Sequence, residues 1–168
     1  DRCFVVDERG ELVNPSTLTG LIATQELQRV PGAPVIHNVI TSRAVPEIIA
    51  ENGGVPVVTR VGHSFIKETM AQTGAVFGGE HSGHFYFADF WRADSGMLAA
   101  LHVLSRLSNT PDGTTASELL APYERYVLSG EINTKVADQA AAIAAVREHF
   151  TGQDVTFSDL DGLTVDGG

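Results

Sequence analysis

A short stretch of the chain, Gly78–His84, combines residue types that can do chemistry. Between two hydrophobic runs it holds three glycines, the carboxylate of Glu80, the hydroxyl of Ser82 and the imidazoles of His81 and His84. Glycine permits positive φ and close backbone approach, carboxylate and hydroxyl groups bind neighbouring hydroxyls of a sugar, and histidine can transfer a proton near neutral pH. This segment, called the histidine loop below, predicts a site for a polyhydroxylated ligand; the alternative is a solvated tight turn.

The order Glu80, His81, His84 also raises the question of a zinc site. The zinc-protease motif needs its histidines at positions i and i+4 on one face of a helix. Here the second histidine stands at i+3, and Gly79 and Gly83 oppose a helix. The spacing therefore disfavours zinc.

Two further segments carry polar groups of the kind that bind anions. Val61–Ser64 follows a predicted strand and opens a predicted helix, so Gly62, His63 and the first helical amides can meet an anion there. The alternative is a plain helix start with an exposed histidine. Arg106–Pro111 has the composition of a phosphate-binding loop, but we favour a helix end that passes into a Ser/Asn/Pro turn.

The first residues add a carboxylate and a guanidinium, Asp1 and Arg2, which alone indicate only a chain terminus. Cys3 is the single cysteine, so no internal disulfide can form and a reducing compartment is the default. Because Cys3 lies in an apolar run, we expect a buried small hydrophobe and not a nucleophile. The chain also lacks an initiator methionine and reads as starting inside a longer protein.

Composition limits the classes of partner. The chain has 168 residues, of which 43% are hydrophobic and 19% charged, so it can bury a core. Its formal charge of −10 disfavours both nucleic acid and anionic membrane as partners. No apolar run approaches the roughly 20 residues of a membrane span, and no signal peptide is visible.

Strand and helix signals alternate along the first three quarters of the chain, which predicts an α/β fold with a mixed β-sheet layered with helices. Strands are predicted over 1–7, 33–39, 55–61, 75–77 and 85–87, and helices from Asn14-Pro15, from Ser42, and over 63–73, 94–107 and 117–126. Phe65 is expected on the inward face of its helix. The short apolar strands favour a sheet covered on both faces.

The composition and the pattern of predicted elements change after residue 128. A strand-like stretch at 131–136, an alanine-rich helix at 137–150 and a hairpin around Asp161-Gly162 follow, with more acidic residues than before. These elements are too few to close a core. We therefore predict that 129–168 is a truncated α+β C-terminal domain.

Taken together, these segments resemble the α-D-phosphohexomutase superfamily, in particular phosphomannomutase/phosphoglucomutase. The family's sugar-binding motif Gly-Glu-x-Ser-Gly-His matches in full at 79–84, and its Gly-His-Ser-x-Ile-Lys motif matches at 62–67. Asp1-Arg2 resembles the end of the metal-binding loop Asp-Gly-Asp-Gly-Asp-Arg. Ile40 stands where the family often has a lysine that contacts substrate phosphate.

The resemblance implies a division into domains and a reaction. Residues 1–14 would be the tail end of the metal-loop domain 2, residues 15–128 the sugar-binding domain 3, and residues 129–168 the start of domain 4. The family transfers a phosphoryl group from a phosphoserine to a hexose phosphate and back through a bisphosphate intermediate. The implied protein interconverts hexose 6-phosphate and hexose 1-phosphate, with mannose and/or glucose as the sugar, in the cytoplasm. The chain alone, without the phosphoserine, is expected to be inactive.

The resemblance also implies a role for each candidate residue. His84 would be the general acid/base and Arg2 would support the phosphoserine side, while Asp1 would be one ligand of a magnesium ion whose other ligands lie outside this chain. The substrate-binding residues would be Gly62, His63, Glu80, His81, Ser82 and Gly83. Two alternatives stay open, phosphoglucosamine mutase and a non-catalytic sugar- or partner-binding module of the same fold. His81 at the variable position of the motif favours mannose/glucose over glucosamine.

Overall fold

The structure, a computed structural model, describes residues 1–168 and divides them into two compact units, 1–127 and 128–168. No helix in either of them has both the length and the apolar character needed to cross a membrane.

A five-stranded mixed sheet forms the centre of the first unit. In space the strands follow the order β2-β1-β3-β4-β5; the first three run parallel, and β4 and β5 are antiparallel to their neighbours. The strands are β1 Pro34–Asn38, β2 Val55–Thr59, β3 Phe77–Gly79, β4 Phe85–Phe87 and β5 Ala93–Asp94. The predicted mixed sheet is confirmed. β3 begins and ends two residues later than predicted. Val76, just before it, still donates to the Pro34 carbonyl at 3.1 Å and accepts from Ala88 N at 2.9 Å.

Helices cover both faces of this sheet. The helices of the first unit are α1 Pro15–Arg29, α2 Ala44–Glu51, α3 His63–Thr73, α4 Gly96–Ser108 and α5 Ala116–Leu120. α1, α2 and α4 pack on one face around Phe77 and Phe85, whereas α3 packs on the other face, where Ile66 and Met70 meet Ile36. The sheet is therefore enclosed in an α/β/α sandwich, as the short apolar strands predict.

Several helix ends lie where the sequence predicts them. Asn14 caps α1, since its Oδ1 accepts a hydrogen bond from Ser16 N at 2.8 Å. α3 begins at His63 and ends at Gly74, whose φ of 70° lies in the left-handed region that glycine favours. Ser42 Oγ accepts from Ala44 N at 3.3 Å, although Arg43 is the residue that directly precedes α2.

Three local predictions are wrong. The strand predicted at 1–7 reduces to one antiparallel bridge between Val6 and Leu12. Phe65 faces outwards and does not join the core. The Arg60 guanidinium packs over its ring, 4.7 Å from the ring centroid, in a cation–π contact. The helix predicted at 117–126 ends at Leu120, because the proline ring of Pro122 lies in a tight 3-10 turn.

Two other predictions are confirmed in this unit. Cys3 is buried. The segment from Arg106 is a helix end and not a phosphate loop, because α4 continues to Ser108 and the Asn109 amide donates to the Arg106 carbonyl at 3.2 Å.

The second unit holds one helix and one hairpin. α6 spans Gln139–Phe150, with Asp138 Oδ1 accepting from Ala141 N at 3.0 Å as its cap. β6 (Thr156–Ser158) and β7 (Thr164–Asp166) pair antiparallel, as the Asp-Gly signal predicts. The strand predicted at 131–136 does not form, because its backbone finds no strand to pair with in this unit.

Candidate functional site

The candidate residues gather at one edge of the sheet of the first unit. Because β1, β2 and β3 run parallel, their carboxyl ends meet at the same edge. β2 leads to Gly62 and His63 at the start of α3, and β3 leads into the histidine loop. Open α/β sheets place their ligands at this edge, so the topology brings together the two motifs that the sequence singles out.

The histidine loop is a hairpin turn between β3 and β4. Glu80 N donates to the His84 carbonyl at 2.9 Å, and Gly83 N donates to the Glu80 carbonyl at 3.1 Å. Gly83 has a φ of 88°, and a Cβ there would lie 3.1 Å from Phe4 Cζ. Glycine is therefore required at this turn for both conformation and space.

Glu80 is buried beneath the turn. Its Oε2 accepts a hydrogen bond from Ser82 Oγ at 2.7 Å, and its Oε1 is enclosed without a hydrogen-bond partner. An enclosed carboxylate oxygen without a donor is costly, so this atom is ready to accept a hydrogen bond from a group that enters the site. The predicted pair of carboxylate and hydroxyl is thus assembled, with Ser82 nearer the surface than Glu80.

His84 is held on both ring nitrogens. Arg2 Nε donates to His84 Nε2 at 3.0 Å, which requires Nε2 to be the unprotonated acceptor. His84 Nδ1 lies 3.0 Å from Asp94 Oδ2 and 3.1 Å from the Asp1 carbonyl, so its proton is donated to one of these oxygens. The arrangement fixes the imidazole tautomer as Nδ1–H.

His63 stands beside His84 but has different partners. It is the first residue of α3, its side chain is exposed, and its ring centroid lies 4.3 Å from that of His84 at an interplanar angle of 74°. Tyr86 Oη lies 2.6 Å from His63 Nδ1. Gly62 precedes α3 with a φ of 131°, a conformation that lets β2 turn directly into the helix.

The two histidines and Asp94 form a set of potential metal ligands, since one ligand atom from each lies within 4.8 Å of the others. It differs from the Glu80-His81-His84 order that the sequence raises. The Arg2 guanidinium donates to one of the two rings, and its positive charge opposes a cation at that position. We therefore assign this set to hydrogen bonding.

His81 is directed to a different neighbour. Its Nδ1 lies 3.0 Å from Ser16 Oγ in the first turn of α1, and the same hydroxyl accepts from Ser42 N at 3.1 Å. The structure does not bring His81 together with His63 and His84. Ser16 instead links the histidine loop to the segment that follows β1.

Sequence reasoning missed three residues of this site: Ser16, Tyr86 and Asp94. Tyr86 and Asp94 stand in stretches that read as an apolar strand and a helix start. The one available signal is their polarity within otherwise buried surroundings, since Tyr86 is fully buried and buried phenols need a hydrogen-bond partner.

Asp1 lies beside the start of α4. Its Oδ2 accepts from Gly96 N at 2.8 Å, and a Cβ on Gly96 would approach the Arg2 carbonyl oxygen to 2.4 Å. A carboxylate is the ligand type that Mg²⁺ prefers, but Mg²⁺ takes six oxygens and one exposed carboxylate is not a site. The residues present in this chain therefore do not form a magnesium site by themselves.

Comparison with known proteins agrees with this fold. The family model for phosphoglucomutase/phosphomannomutase, alpha/beta/alpha domain III, matches residues 14–126. The chain therefore belongs to the α-D-phosphohexomutase superfamily and carries its domain III. Most of the first unit falls inside the matched range.

Curated relatives extend the match over almost the whole chain. A phosphomannomutase of Vibrio cholerae is 37% identical over 166 residues, which cover 99% of this chain and 36% of that protein. A phosphomannomutase of Escherichia coli K12 is 36% identical over 98% of this chain and 36% of its own length. The chain thus spans little more than a third of these relatives.

Solved structures show the same fold. A phosphoglucomutase/phosphomannomutase family protein of Burkholderia thailandensis superposes with a TM-score of 0.78 at 30% identity, covering 98% of this chain and 35% of that one. The phosphoglucomutase parafusin of Paramecium matches with a TM-score of 0.70 at 19% identity over 100% of this chain and 33% of its own. The latter likeness concerns the fold alone.

Proposed function

We propose that the longer protein to which this chain belongs is a phosphohexomutase that interconverts hexose 6-phosphate and hexose 1-phosphate, with mannose and/or glucose as the sugar. Family membership and the names of the curated relatives support this assignment. The observation that carries it is the convergence of Glu80, Ser82, His63 and His84 at the carboxyl edge of the parallel strands.

The domain assignment is part of the same proposal. Residues 1–14 are the tail end of the metal-loop domain 2, residues 15–128 are domain 3, and residues 129–168 begin domain 4. The family match at 14–126 and the division of the structure after residue 127 support these boundaries.

The reaction assigns a task to each side chain. A sugar hydroxyl attacks the phosphorus of a phosphoserine outside this chain, and the new O–P bond forms as the serine O–P bond breaks. The sugar hydroxyl gives up its proton to an acceptor, and the leaving serine oxygen takes up a proton to become the serine hydroxyl. His84 Nε2 is that acceptor: Asp94 and the Asp1 carbonyl keep it unprotonated, and its lone pair, which accepts from Arg2 Nε at 3.0 Å in this structure, takes the sugar proton once Arg2 turns to the phosphoryl group. Arg2 offsets the charge of the transferring group.

Glu80 and Ser82 hold the sugar. Ser82 Oγ already donates to Glu80 Oε2, so its lone pairs are left to accept from a sugar hydroxyl. Glu80 Oε1 takes a further donor when the ligand enters. An acceptor pair of this kind serves a sugar bound in either of the two orientations that the bisphosphate must adopt. His63 contacts the substrate, and Gly62, His81 and Gly83 shape the surrounding backbone.

The family's magnesium ion would neutralise charge on the transferring phosphoryl group. Asp1 would supply one of its ligands, and the others belong to the part of the metal loop that lies outside this chain. None of the proton transfers assigned above depends on that ion. The chain alone lacks the phosphoryl donor, so we propose that it does not turn over hexose phosphate.

Glu80→Ala in the complete protein tests the proposal. We expect a loss of at least about a hundredfold in kcat/KM with mannose 1-phosphate or glucose 1-phosphate, because both the sugar contact and the partner of Ser82 disappear. Glu11→Ala, at an exposed position of the same unit, is the matched control and keeps full activity. Undiminished turnover by Glu80→Ala rejects the assignment, and turnover of glucosamine 1-phosphate alone selects the glucosamine branch.

A further inference from the structure

Tyr86 is a buried group that the proposed reaction does not use. It lies in β4 on the α3 face of the sheet, packed with Ile36, Ile66 and Met70, and its side chain has no solvent exposure. Its hydroxyl nevertheless reaches the edge of the sheet, where Oη lies 2.6 Å from His63 Nδ1. The hydroxyl of a fully buried tyrosine thus lies at hydrogen-bond distance from Nδ1 of an exposed histidine.

The phenol keeps its proton. Burial is the largest effect that raises the pKa of Tyr86 far above its ordinary value, and the negative charges of Glu80 and Asp94 add to it. A neutral phenol has one proton to donate. A hydrogen bond to Glu80 also contributes to the raised pKa, so the phenol has two acceptors within reach, the Glu80 carboxylate and His63 Nδ1. We assign the proton to His63 Nδ1, which lies 2.6 Å from Oη, and this places the proton of the imidazole itself on Nε2.

The neighbouring ring is held in the opposite state. Arg2 Nε donates to His84 Nε2, and His84 Nδ1 donates towards Asp94 or the Asp1 carbonyl. With centroids 4.3 Å apart, the two rings therefore differ in tautomer: His63 has a donor at Nε2, whereas Nε2 of His84 is an acceptor that Arg2 already uses. Each state is imposed by a different partner residue.

We propose that Tyr86 is a positioning residue that holds His63 as the Nε2–H tautomer, so that His63 donates a hydrogen bond to an oxygen of the bound sugar phosphate. The identity of this acceptor rests on the proposed phosphohexomutase function. The tautomer itself does not, because it follows from contacts within the chain.

Nitrogen-15 NMR of the chain tests the tautomer directly. At pH 8 the two ring nitrogens of a neutral histidine give distinct signals according to which of them carries the proton. We expect His63 in the parent chain to show Nδ1 as the unprotonated nitrogen. A parent spectrum with the proton on Nδ1 overturns the proposal, and this measurement needs no variant to fold.

Tyr86→Phe removes the hydroxyl and keeps the ring. We expect the Nδ1–H tautomer of His63 to become substantially populated, whereas Tyr123→Phe, which removes a phenol hydroxyl from the opposite face of the same unit, leaves the His63 signals unchanged. A His63 tautomer that is identical in the parent and in Tyr86→Phe contradicts the proposal.

The same two variants in the complete protein test the consequence for substrate. We expect Tyr86→Phe to lower kcat/KM for hexose phosphate about tenfold, with a rise in KM that Tyr123→Phe does not share, since the hydrogen bond is made to bound substrate before reaction. Unchanged kinetics together with a changed tautomer overturn the role in substrate binding. A parent protein without mutase activity refutes the proposed function and leaves the tautomer result standing.

Discussion

At the scale of single residues, the site depends on side chains that act through their neighbours. Asp94 illustrates this, because its Oδ2 is 3.0 Å from the Nδ1 of His84, on the side of the ring opposite to Arg2. A carboxylate in this position stabilises the imidazolium that forms when the ring accepts a proton, and it orients the ring for that transfer. In the proposed reaction Asp94 therefore supports the proton transfer, although no motif contains it.

Asp94→Asn keeps the size of the side chain and removes its charge. In the complete protein we expect kcat to fall by about ten- to a hundredfold, because the imidazolium of His84 loses its counter-charge. The matched control is Asp89→Asn, which alters an exposed carboxylate five residues earlier that pairs with Arg29. Equal rates in steady-state assays of the two variants contradict this role.

At the scale of elements, glycine sets how closely β3 approaches α1. A Cβ built on Gly79 would lie 2.4 Å from both Cγ2 and Oγ1 of Thr19, a fully buried residue of α1. Thr19 cannot yield readily, because its hydroxyl donates to the Pro15 carbonyl at 3.0 Å. Because β3 packs closely against α1 at Gly79, this contact also positions Glu80, the next residue along the chain.

Gly79→Ala consequently forces β3 away from α1. We expect the free energy of unfolding to fall by about 1–3 kcal/mol, as for other overpacked cores. Gly78→Ala is the control on the same strand, since its Cβ meets Ile66 Cγ2 at 3.3 Å on the other face and needs a much smaller adjustment. Urea denaturation compares the two variants, and a smaller loss for Gly79→Ala than for Gly78→Ala contradicts the packing argument.

The elements also show how far sequence reasoning reaches. Local signals are sufficient where structure is local, so α3 is found at His63–Thr73 as predicted and Asn14 caps α1. They fail where the outcome depends on which surface of the fold a side chain meets, or on how much of a backbone segment finds a partner. Phe65 follows the apolar spacing of α3 yet faces Arg60, and the segment 1–7 has strand composition but pairs at one position only.

The same distinction applies to the site. The histidine loop is visible because its residues are consecutive, and the sheet topology places His63 beside it. Tyr86 and Asp94 are invisible because their roles arise from contacts with residues 23 and 10 positions away along the chain. The local sequence pattern does not show which tyrosine of an apolar strand will have its hydroxyl next to another residue of the site.

At the scale of the whole molecule, the buried His37 and the partly buried His102 link stability to pH. Burial lowers the pKa of His37 below its usual value. Burial also lowers the pKa of His102, although the neighbouring Glu26 opposes the shift. Both side chains are thus neutral in the folded unit at pH values where they are already protonated in the unfolded chain.

Stability should fall as the pH falls. Below about pH 6.5 the unfolded chain binds protons that the folded chain does not, so each histidine lowers the free energy of unfolding by up to ~1.4 kcal/mol per pH unit until its folded pKa is reached. Urea unfolding between pH 7.5 and 5.5 measures this slope. His37→Gln is expected to flatten it and the exposed His149→Gln is not; equal slopes in parent and His37→Gln would contradict the linkage.

The first residues of the chain are fastened to the tip of the histidine loop. Cys3 N donates to the Gly83 carbonyl at 3.0 Å, and Phe4 lies where a side chain on Gly83 would be. The segment 1–4 therefore braces the outer side of the turn that carries His84, and the same segment places Arg2 beside the His84 ring. The geometry of the turn thus depends on residues that belong to no strand of the sheet.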